Sequence, residues 1–155
     1  MVLKHRVAFC SAIIIAVVLM AAAMGKIFFP PEEIEWFYFS IGMLEIGLIA
    51  CLLIFFKKWI TWILLALIFA SWGGYAFFWM SAHLPCSCMG SRVEFPPQFS
   101  FYVDVVFWGL TTCMGYLLGA SRIIVRMILI ASFFLGWGGY ELASFVFKRI
   151  DLLGN

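Results

Sequence analysis

The chain has 155 residues, of which 66% are hydrophobic and 12% charged, with a mean hydropathy of +1.10 and a formal net charge of +2. A typical soluble domain carries about 25% charged residues, so this composition excludes a water-soluble fold, and the small net charge gives no argument for nucleic-acid binding. About 20 apolar residues cross a hydrocarbon core roughly 30 Å thick. Five crossings would use most of the chain, and we expect residues 1–155 to form a single transmembrane helical domain.

Five apolar stretches are each long enough to span a membrane as a helix. They cover residues 7–29, 36–56, 59–80, 101–120 and 123–147. Proline or charged residues separate them, and several tryptophan and tyrosine residues fall near their ends, where the membrane interface favours these side chains. The sequence therefore predicts an all-α fold: a polytopic membrane helix bundle of about five transmembrane helices, with a loop over residues 81–100.

The first apolar stretch also has features of a secretory signal peptide. Lys4 and Arg6 precede it, and alanines at residues 21–23 lie near its end. The apolar run is longer than the roughly 7 to 15 residues of a typical signal peptide. This length favours an uncleaved membrane anchor.

The distribution of lysine and arginine predicts the orientation, because cytoplasmic loops carry more of these residues than external loops do. With a cytoplasmic N-terminus, the cytoplasmic set is Lys4, Arg6, Lys57, Lys58, Arg122 and Arg126, and the smaller external set is Lys26, Arg92, Lys148 and Arg149. We therefore expect a bacterial inner membrane protein with its N-terminus in the cytoplasm and the loop over residues 81–100 outside. Because Lys148 and Arg149 would suit a last helix that stops short of the outer face, full crossing of that helix stays open.

Two segments of the chain resemble each other. Residues 72–75 and residues 137–140 both read Trp-Gly-Gly-Tyr, and at the same spacing Lys57 corresponds to Arg122. The second and third predicted helices therefore match the fourth and fifth, as a parallel repeat. Coincidence in an aromatic-rich and glycine-rich chain is the alternative. The glycines also have a packing role available, because small residues let membrane helices approach closely.

The loop after the third predicted helix contains Cys86 and Cys88, separated by a serine. Three interpretations are open. The pair could form a strained, labile disulfide that takes part in thiol–disulfide exchange, which an oxidising external compartment would permit. It could form a static disulfide that only shapes the loop. It could also bind Cu(I), which favours sulfur ligands, together with His83 and Met89.

The remaining cysteines lie within apolar stretches, where cysteine behaves as a small hydrophobic residue. They are Cys10, Cys51 and Cys113. None is expected to reach the loop pair without a large motion, so we predict that they are packing residues.

Apart from Arg126, counted above with the cytoplasmic set, four ionisable residues lie inside the predicted spans, where a charge is costly and often marks a functional site. They are Lys26, Glu45, Asp104 and Glu141. At about 1.5 Å per residue, all four fall in the outer half of the membrane and could line one polar cavity beneath the cysteine loop. Lys26 and Asp104 could instead extend to the membrane interface. Glu45 is too deep for that, and because a buried carboxylate needs a partner, we expect it to pair with Lys26.

Three short motifs occur in order along the chain. They are Gly25-Lys26 at the end of the first predicted helix, Leu44-Glu45-Ile46-Gly47-Leu48 in the second, and Cys86-Ser87-Cys88-Met89-Gly90 after the third. Together they resemble the MauE branch of the MauE/DoxX-like membrane proteins, which typically has a Gly-Lys element, a Leu-Glu-x-x-Gly-Leu element and a Cys-x-Cys-Phe-Gly loop in this order. Here Met89 stands in place of the phenylalanine, and the spacing from glutamate to glycine is shorter.

The resemblance implies a helical membrane protein that works with a periplasmic thioredoxin-like partner in thiol–disulfide exchange, as in maturation of the disulfide-rich small subunit of methylamine dehydrogenase. On that basis Cys86 and Cys88 would exchange disulfides with the partner or a client. Lys26 and Glu45 would support the helices under the loop, and a quinone is a candidate electron acceptor. The alternatives are a non-catalytic membrane subunit or scaffold of a larger complex, a Cu(I)-binding membrane protein and a transporter.

Overall fold

The five predicted helices are present in the structure, a computed structural model that describes residues 2–30, 35–83 and 96–153. They are α1 (Val2–Phe28), α2 (Glu35–Phe55), α3 (Trp59–Ser81), α4 (Pro97–Leu117) and α5 (Arg122–Leu153). These parts of the chain contain no β-strand. The prediction of an all-α fold is therefore confirmed.

Two predicted boundaries of α4 shift. The helix begins at Pro97, inside the predicted loop over residues 81–100, because proline suits the first turn, where a missing N–H costs nothing. It ends at Leu117, earlier than predicted, since Gly119 adopts a φ of 121° and its amide donates to the Tyr116 carbonyl at 3.1 Å. A glycine in this left-handed conformation terminates the helix and turns the chain toward α5.

Four helical segments are long and apolar enough to cross a membrane. They are Leu3–Phe28, Glu35–Phe55, Trp59–Ser81 and Arg122–Lys148. α4 has the same length as α2, 21 residues, but Asp104 and several hydroxyl-bearing residues make it less apolar. α5 has 32 residues and is about 48 Å long at about 1.5 Å per residue, which exceeds a hydrocarbon core of roughly 30 Å. The chain therefore has the helices of a multi-pass membrane protein.

α3 is the central helix of the bundle, because both α4 and α5 pack against it, while α1 packs mainly against α2. Trp62 and Phe69 of α3 are fully buried in a core that also includes Ile15 of α1 and Leu52 of α2. The Trp62 indole N–H donates to the Phe56 carbonyl at 2.7 Å, which satisfies its polar group at the edge of that core. The core thus joins the first four helices.

The two Trp-Gly-Gly-Tyr segments meet where α3 contacts α5. A Cβ added to Gly74 would lie 1.8 Å from the Gly136 carbonyl oxygen, and one added to Gly139 would lie 1.9 Å from the Ser71 carbonyl oxygen. The contact is reciprocal, because in the repeat Gly74 corresponds to Gly139 and Ser71 corresponds to Gly136. Only glycine allows the two backbones to come this close.

α3 and α5 run in the same direction. Toward the ends of both helices, Phe78 packs against Tyr140 with ring centroids 5.3 Å apart, and Trp79 packs against Phe147 at 6.0 Å. Contacts therefore advance along both helices together, as the predicted parallel repeat requires. The two helices of each repeat unit, α2 with α3 and α4 with α5, have little contact with each other. α2 packs mainly against α1, and α4 packs mainly against α3.

We expect Gly74→Ala to destabilise the protein, since the added methyl group would overlap backbone atoms that cannot move aside without separating α3 from α5. The loss should be about 1 to 3 kcal/mol or more, the cost of overpacking a close contact. Gly138→Ala is the matched control, because no atom lies within 4 Å of a Cβ added there and alanine favours a helix. Thermal denaturation in detergent should show a lower midpoint for Gly74→Ala alone. Equal midpoints for the two variants would contradict this packing.

Candidate functional site

Lys26 and Glu45 form a buried ion pair. Lys26 lies in the last turn of α1, Glu45 lies in the middle of α2, and the lysine Nζ is 2.6 Å from the glutamate Oε1. Lys26 is 7% exposed and Glu45 is 2% exposed. The prediction that these residues pair is therefore confirmed, and Lys26 does not extend to the membrane interface.

Gly42 lets α1 approach α2 beside this pair. A Cβ added there would lie 2.8 Å from Cγ1 of Ile27 and 3.1 Å from the Ala23 carbonyl oxygen. Because Gly42 is three residues before Glu45, both lie on the same face of α2, and a larger residue would push apart the helices that carry the ion pair. Sequence reasoning missed Gly42. The available signal was a glycine at helical spacing from a buried carboxylate.

A cavity of about 740 Å³ lies beside the ion pair. Residues from all five helices form its wall, which is mostly aliphatic and aromatic. Lys26, Glu45 and Asp104 are the charged residues among the described lining residues, and Asp104 is close enough to the other two to interact with them electrostatically. Three of the four predicted intramembrane residues therefore share one cavity.

Glu141 does not join them. It is exposed, whereas Gly139 and Leu142 of the same helix line the cavity. Successive helical residues are rotated by about 100°, so Glu141 faces away from the side that those two share. The expectation of a single cavity for all four residues is therefore wrong for Glu141. The position of a residue along the helix axis does not determine which side of the helix its side chain lies on.

Sequence reasoning missed two tyrosines that line the cavity, Tyr38 of α2 and Tyr75 of α3. Tyr38 is buried and Tyr75 is partly buried. Tyr75 ends the first Trp-Gly-Gly-Tyr segment, and that repeated motif was the signal that could have found it. Both phenol groups can donate and accept hydrogen bonds, so they add polar character to an otherwise apolar wall.

Cys86 and Cys88 lie outside the described residues. In the chain they belong to the connection between α3, which ends at Ser81, and α4, which begins at Pro97. Phe99, in the first turn of α4, lines the cavity. The α4 end of this connection is therefore close to the charged cavity.

The alternative copper site consists of His83, Cys86, Cys88 and Met89, of which only His83 is described. Its side chain is exposed and its backbone adopts a φ of 55°. Within residues 2–30, 35–83 and 96–153, no three histidine, cysteine or acidic side chains are grouped as a metal site would need. The copper interpretation of the loop stays a prediction.

The cysteines of the helices are free thiols: Cys10 and Cys113 are exposed, and Cys51 is partly buried. The prediction that all three are packing residues is therefore wrong for Cys10 and Cys113. Each lies on an apolar helix but on its outward side, where lipid would cover it. Hydropathy alone does not distinguish a lipid-facing residue from a core residue, since both are apolar.

No family model, curated protein or solved structure matches this chain. The fold and the cavity define the class of protein: an all-helical bundle of the multi-pass membrane type, with a charged cavity between its helices. The likeness to the MauE branch rests on the three motifs alone.

Proposed function

We propose that this protein is a membrane component of a thiol–disulfide exchange system at the outer face of a bacterial inner membrane. Cys86 and Cys88 form the exchanging pair, and the substrate is a thioredoxin-like partner or a disulfide-containing client. The observation that best supports this proposed function is the ion pair between Lys26 and Glu45. Lys26 and Glu45 belong to two of the three motifs, are 19 positions apart in the chain, and meet at 2.6 Å.

The helices on either side of the connection that carries the third motif, α3 and α4, both line the cavity. Lys26 near the end of α1, Tyr75 near the end of α3 and Ser100 near the start of α4 all line it. Cys86 and Cys88 follow α3 by only a few residues in the chain. This arrangement supports a site in which the cysteine pair acts close to the charged cavity.

The exchange requires no external oxidant, because the number of disulfides is conserved. A thiolate of the reduced partner attacks one sulfur of the Cys86–Cys88 disulfide, the S–S bond breaks, and the other cysteine leaves as a thiolate. The second partner thiolate then attacks the mixed disulfide and releases the first cysteine. Two electrons have passed to the cysteine pair, the partner has gained a disulfide, and water supplies protons to the released thiolates.

Lys26 and Glu45 have a supporting role in this proposal. The Lys26 ammonium already donates to Glu45 Oε1, so the pair fixes α1 against α2. A cation near a cysteine also favours the thiolate, which is the nucleophilic form. The pair therefore acts through helix position and local charge, and the electrons stay with the sulfur atoms.

We expect a membrane-impermeant maleimide of high mass to label Cys86 and Cys88 in spheroplasts, and only after reduction. The background is a variant in which Cys10, Cys51 and Cys113 are replaced by alanine, so that labelling reports the loop pair alone. The oxidised fraction should also change when cells grow under reducing conditions, because an exchanging pair follows its partners. Labelling only after membrane disruption would show that the loop is cytoplasmic and that the predicted orientation is wrong. A constant oxidised fraction would favour a static disulfide in a non-catalytic subunit.

A further inference from the structure

Two carboxylates in the cavity have oxygen atoms without a hydrogen-bond donor among the described residues. Glu45 uses Oε1 for Lys26, while its Oε2 is buried and has no partner among the described residues. Asp104 lines the same cavity, and within the described chain its carboxylate forms no hydrogen bond or ion pair. A buried acceptor such as Glu45 Oε2 is unfavourable without a donor, and Asp104 is only partly buried. A molecule that donates to both groups would therefore be bound favourably there.

The cavity also carries an excess of acidic groups. Glu45 and Asp104 are its carboxylates, and Lys26 supplies the one ammonium group among the described lining residues. A buried carboxylate is stabilised by an opposite charge, so the complementary ligand group is a cation. A primary ammonium has three N–H donors, so it can donate to Asp104 and still offer donors to Glu45. A hydroxyl group offers a single donor and no charge, and an anionic group would be repelled.

The size and opening of the cavity indicate that the ligand also carries an apolar tail. Its volume of about 740 Å³ lies within the range of about 300 to 1,000 Å³ that is usual for small-molecule sites. Ala21, Tyr102 and Val106 line the cavity and are also exposed, the last two at 63% each. α1 and α4 meet at the opposite end of the bundle, where Lys4 Nζ donates to the Leu117 carbonyl at 3.3 Å. The cavity therefore opens between α1 and α4 toward the surface that lipid would contact.

We propose that this cavity binds a primary ammonium head group carried on an apolar tail. The ammonium lies between Glu45 Oε2 and Asp104, and the tail leaves between α1 and α4. Two sources share this chemistry: an ethanolamine phospholipid of the bilayer and a single-chain alkylamine. The site uses neither Cys86 nor Cys88, although it shares Glu45 with the proposed exchange activity, so the two proposals can be tested separately.

The test uses the full-length protein in detergent micelles with a photoreactive hexadecylamine that bears a diazirine in its chain. Adducts are mapped by peptide mass spectrometry and are expected on the cavity-lining segments of α1 and α4. The matching hexadecanol and hexadecanoate probes should label about tenfold more weakly, because hydrogen bonds between charged groups contribute more than neutral ones. Equal labelling by the amine and the alcohol, or adducts confined to other segments, would overturn the proposal.

Two kinds of variant test the site itself. Asp104→Asn keeps the side-chain size and removes the charge, so labelling by the amine should fall about tenfold. Ala21→Phe fills the mouth of the cavity and should abolish it, whereas Ala50→Phe makes the same change at an exposed alanine of α2 outside the cavity and should have no effect. If Asp104→Asn does not fold, the two phenylalanine variants decide. Unchanged labelling in Ala21→Phe contradicts the site.

Competition against the photoreactive amine separates the two sources. Displacement by dioleoylphosphatidylethanolamine, with none by dioleoylphosphatidylglycerol, identifies the phospholipid, and displacement by unlabelled hexadecylamine alone identifies the alkylamine. Equal displacement by phosphatidylglycerol, which has no ammonium group, would overturn the proposal. The Cys86→Ser, Cys88→Ser protein should be labelled as strongly as the parent, so a failure of amine binding and a failure of disulfide exchange are measured separately.

Discussion

Replacing Cys86 or Cys88 with serine is expected to abolish disulfide exchange with the partner while the helical bundle stays folded. Exchange needs both sulfurs, because one is attacked and the other leaves. Both cysteines lie in the chain between the end of α3 at Ser81 and the start of α4 at Pro97, and the described core consists of residues from α1 to α4. The thermal denaturation midpoint of each variant should therefore match that of the parent protein.

A single remaining thiol should also trap the partner. Its attack on an oxidised partner gives a mixed disulfide that no second loop cysteine can resolve. Acid quenching protonates the partner's own released thiolate and stops the reverse reaction, so the adduct can be recovered by non-reducing electrophoresis and identified by mass spectrometry. Cys113→Ser, at an exposed position of α4, is the matched control and should keep full exchange. Full activity in the Cys86→Ser, Cys88→Ser protein would rule out the mechanism. Copper that co-purifies with the parent and disappears from this variant would establish a Cu(I) site instead.

Lys26→Met is expected to destabilise the bundle by about 3 to 5 kcal/mol, the cost of leaving a buried charge without its partner. Glu45 is 2% exposed, and Lys26 is the one cation among the described residues that line the cavity. In the variant, the Glu45 carboxylate would have no counter-charge in an apolar wall. The measurement is the free energy of unfolding, obtained by denaturant titration in mixed micelles.

The double variant Lys26→Met, Glu45→Leu should recover most of this loss, because replacing a buried ion pair with apolar residues of similar volume is often neutral or stabilising. Lys4→Met is the control for removal of a lysine. Lys4 donates to the Leu117 carbonyl at 3.3 Å and is exposed, so its replacement should cost about 0.5 kcal/mol or less. If Lys26→Met is as mild as Lys4→Met, the ion pair does not anchor α1 to α2.

The helix count and the central ion pair could be predicted because each follows from a requirement of the membrane. A span needs a minimum length of apolar chain, and that length is visible in the sequence. Glu45 lies too far from either end of its helix to reach water, so it required a partner within the bundle, and Lys26 was available in the last turn of the preceding helix. The structure shows that pair at 2.6 Å.

Rotation and pairing of helices could not be predicted in the same way. Glu141 lies in the second half of α5 and Asp104 in the first half of α4, but of the two only Asp104 lines the cavity. The position of Gly74 in a repeated motif indicated close packing, but its contact with Gly136 depends on which helices become neighbours. A single sequence shows which residues of a helix are apolar. It does not show which apolar face contacts another helix and which contacts lipid, because both surroundings are equally apolar.

During synthesis α3 leaves the ribosome before α5, so the face of α3 that carries Gly74 first meets lipid. Lipid tails are as apolar as the side chains they contact, and helix association inside a membrane relies on close fit between small residues. α5 can dock only after it has inserted and turned Gly136 and Gly139 toward α3, since in any other orientation side chains keep the backbones apart. α5 therefore reaches α3 only after α3 is in the membrane, and a chain truncated before Arg122 would leave the Gly74 face of α3 open to a small-residue helix of another protein.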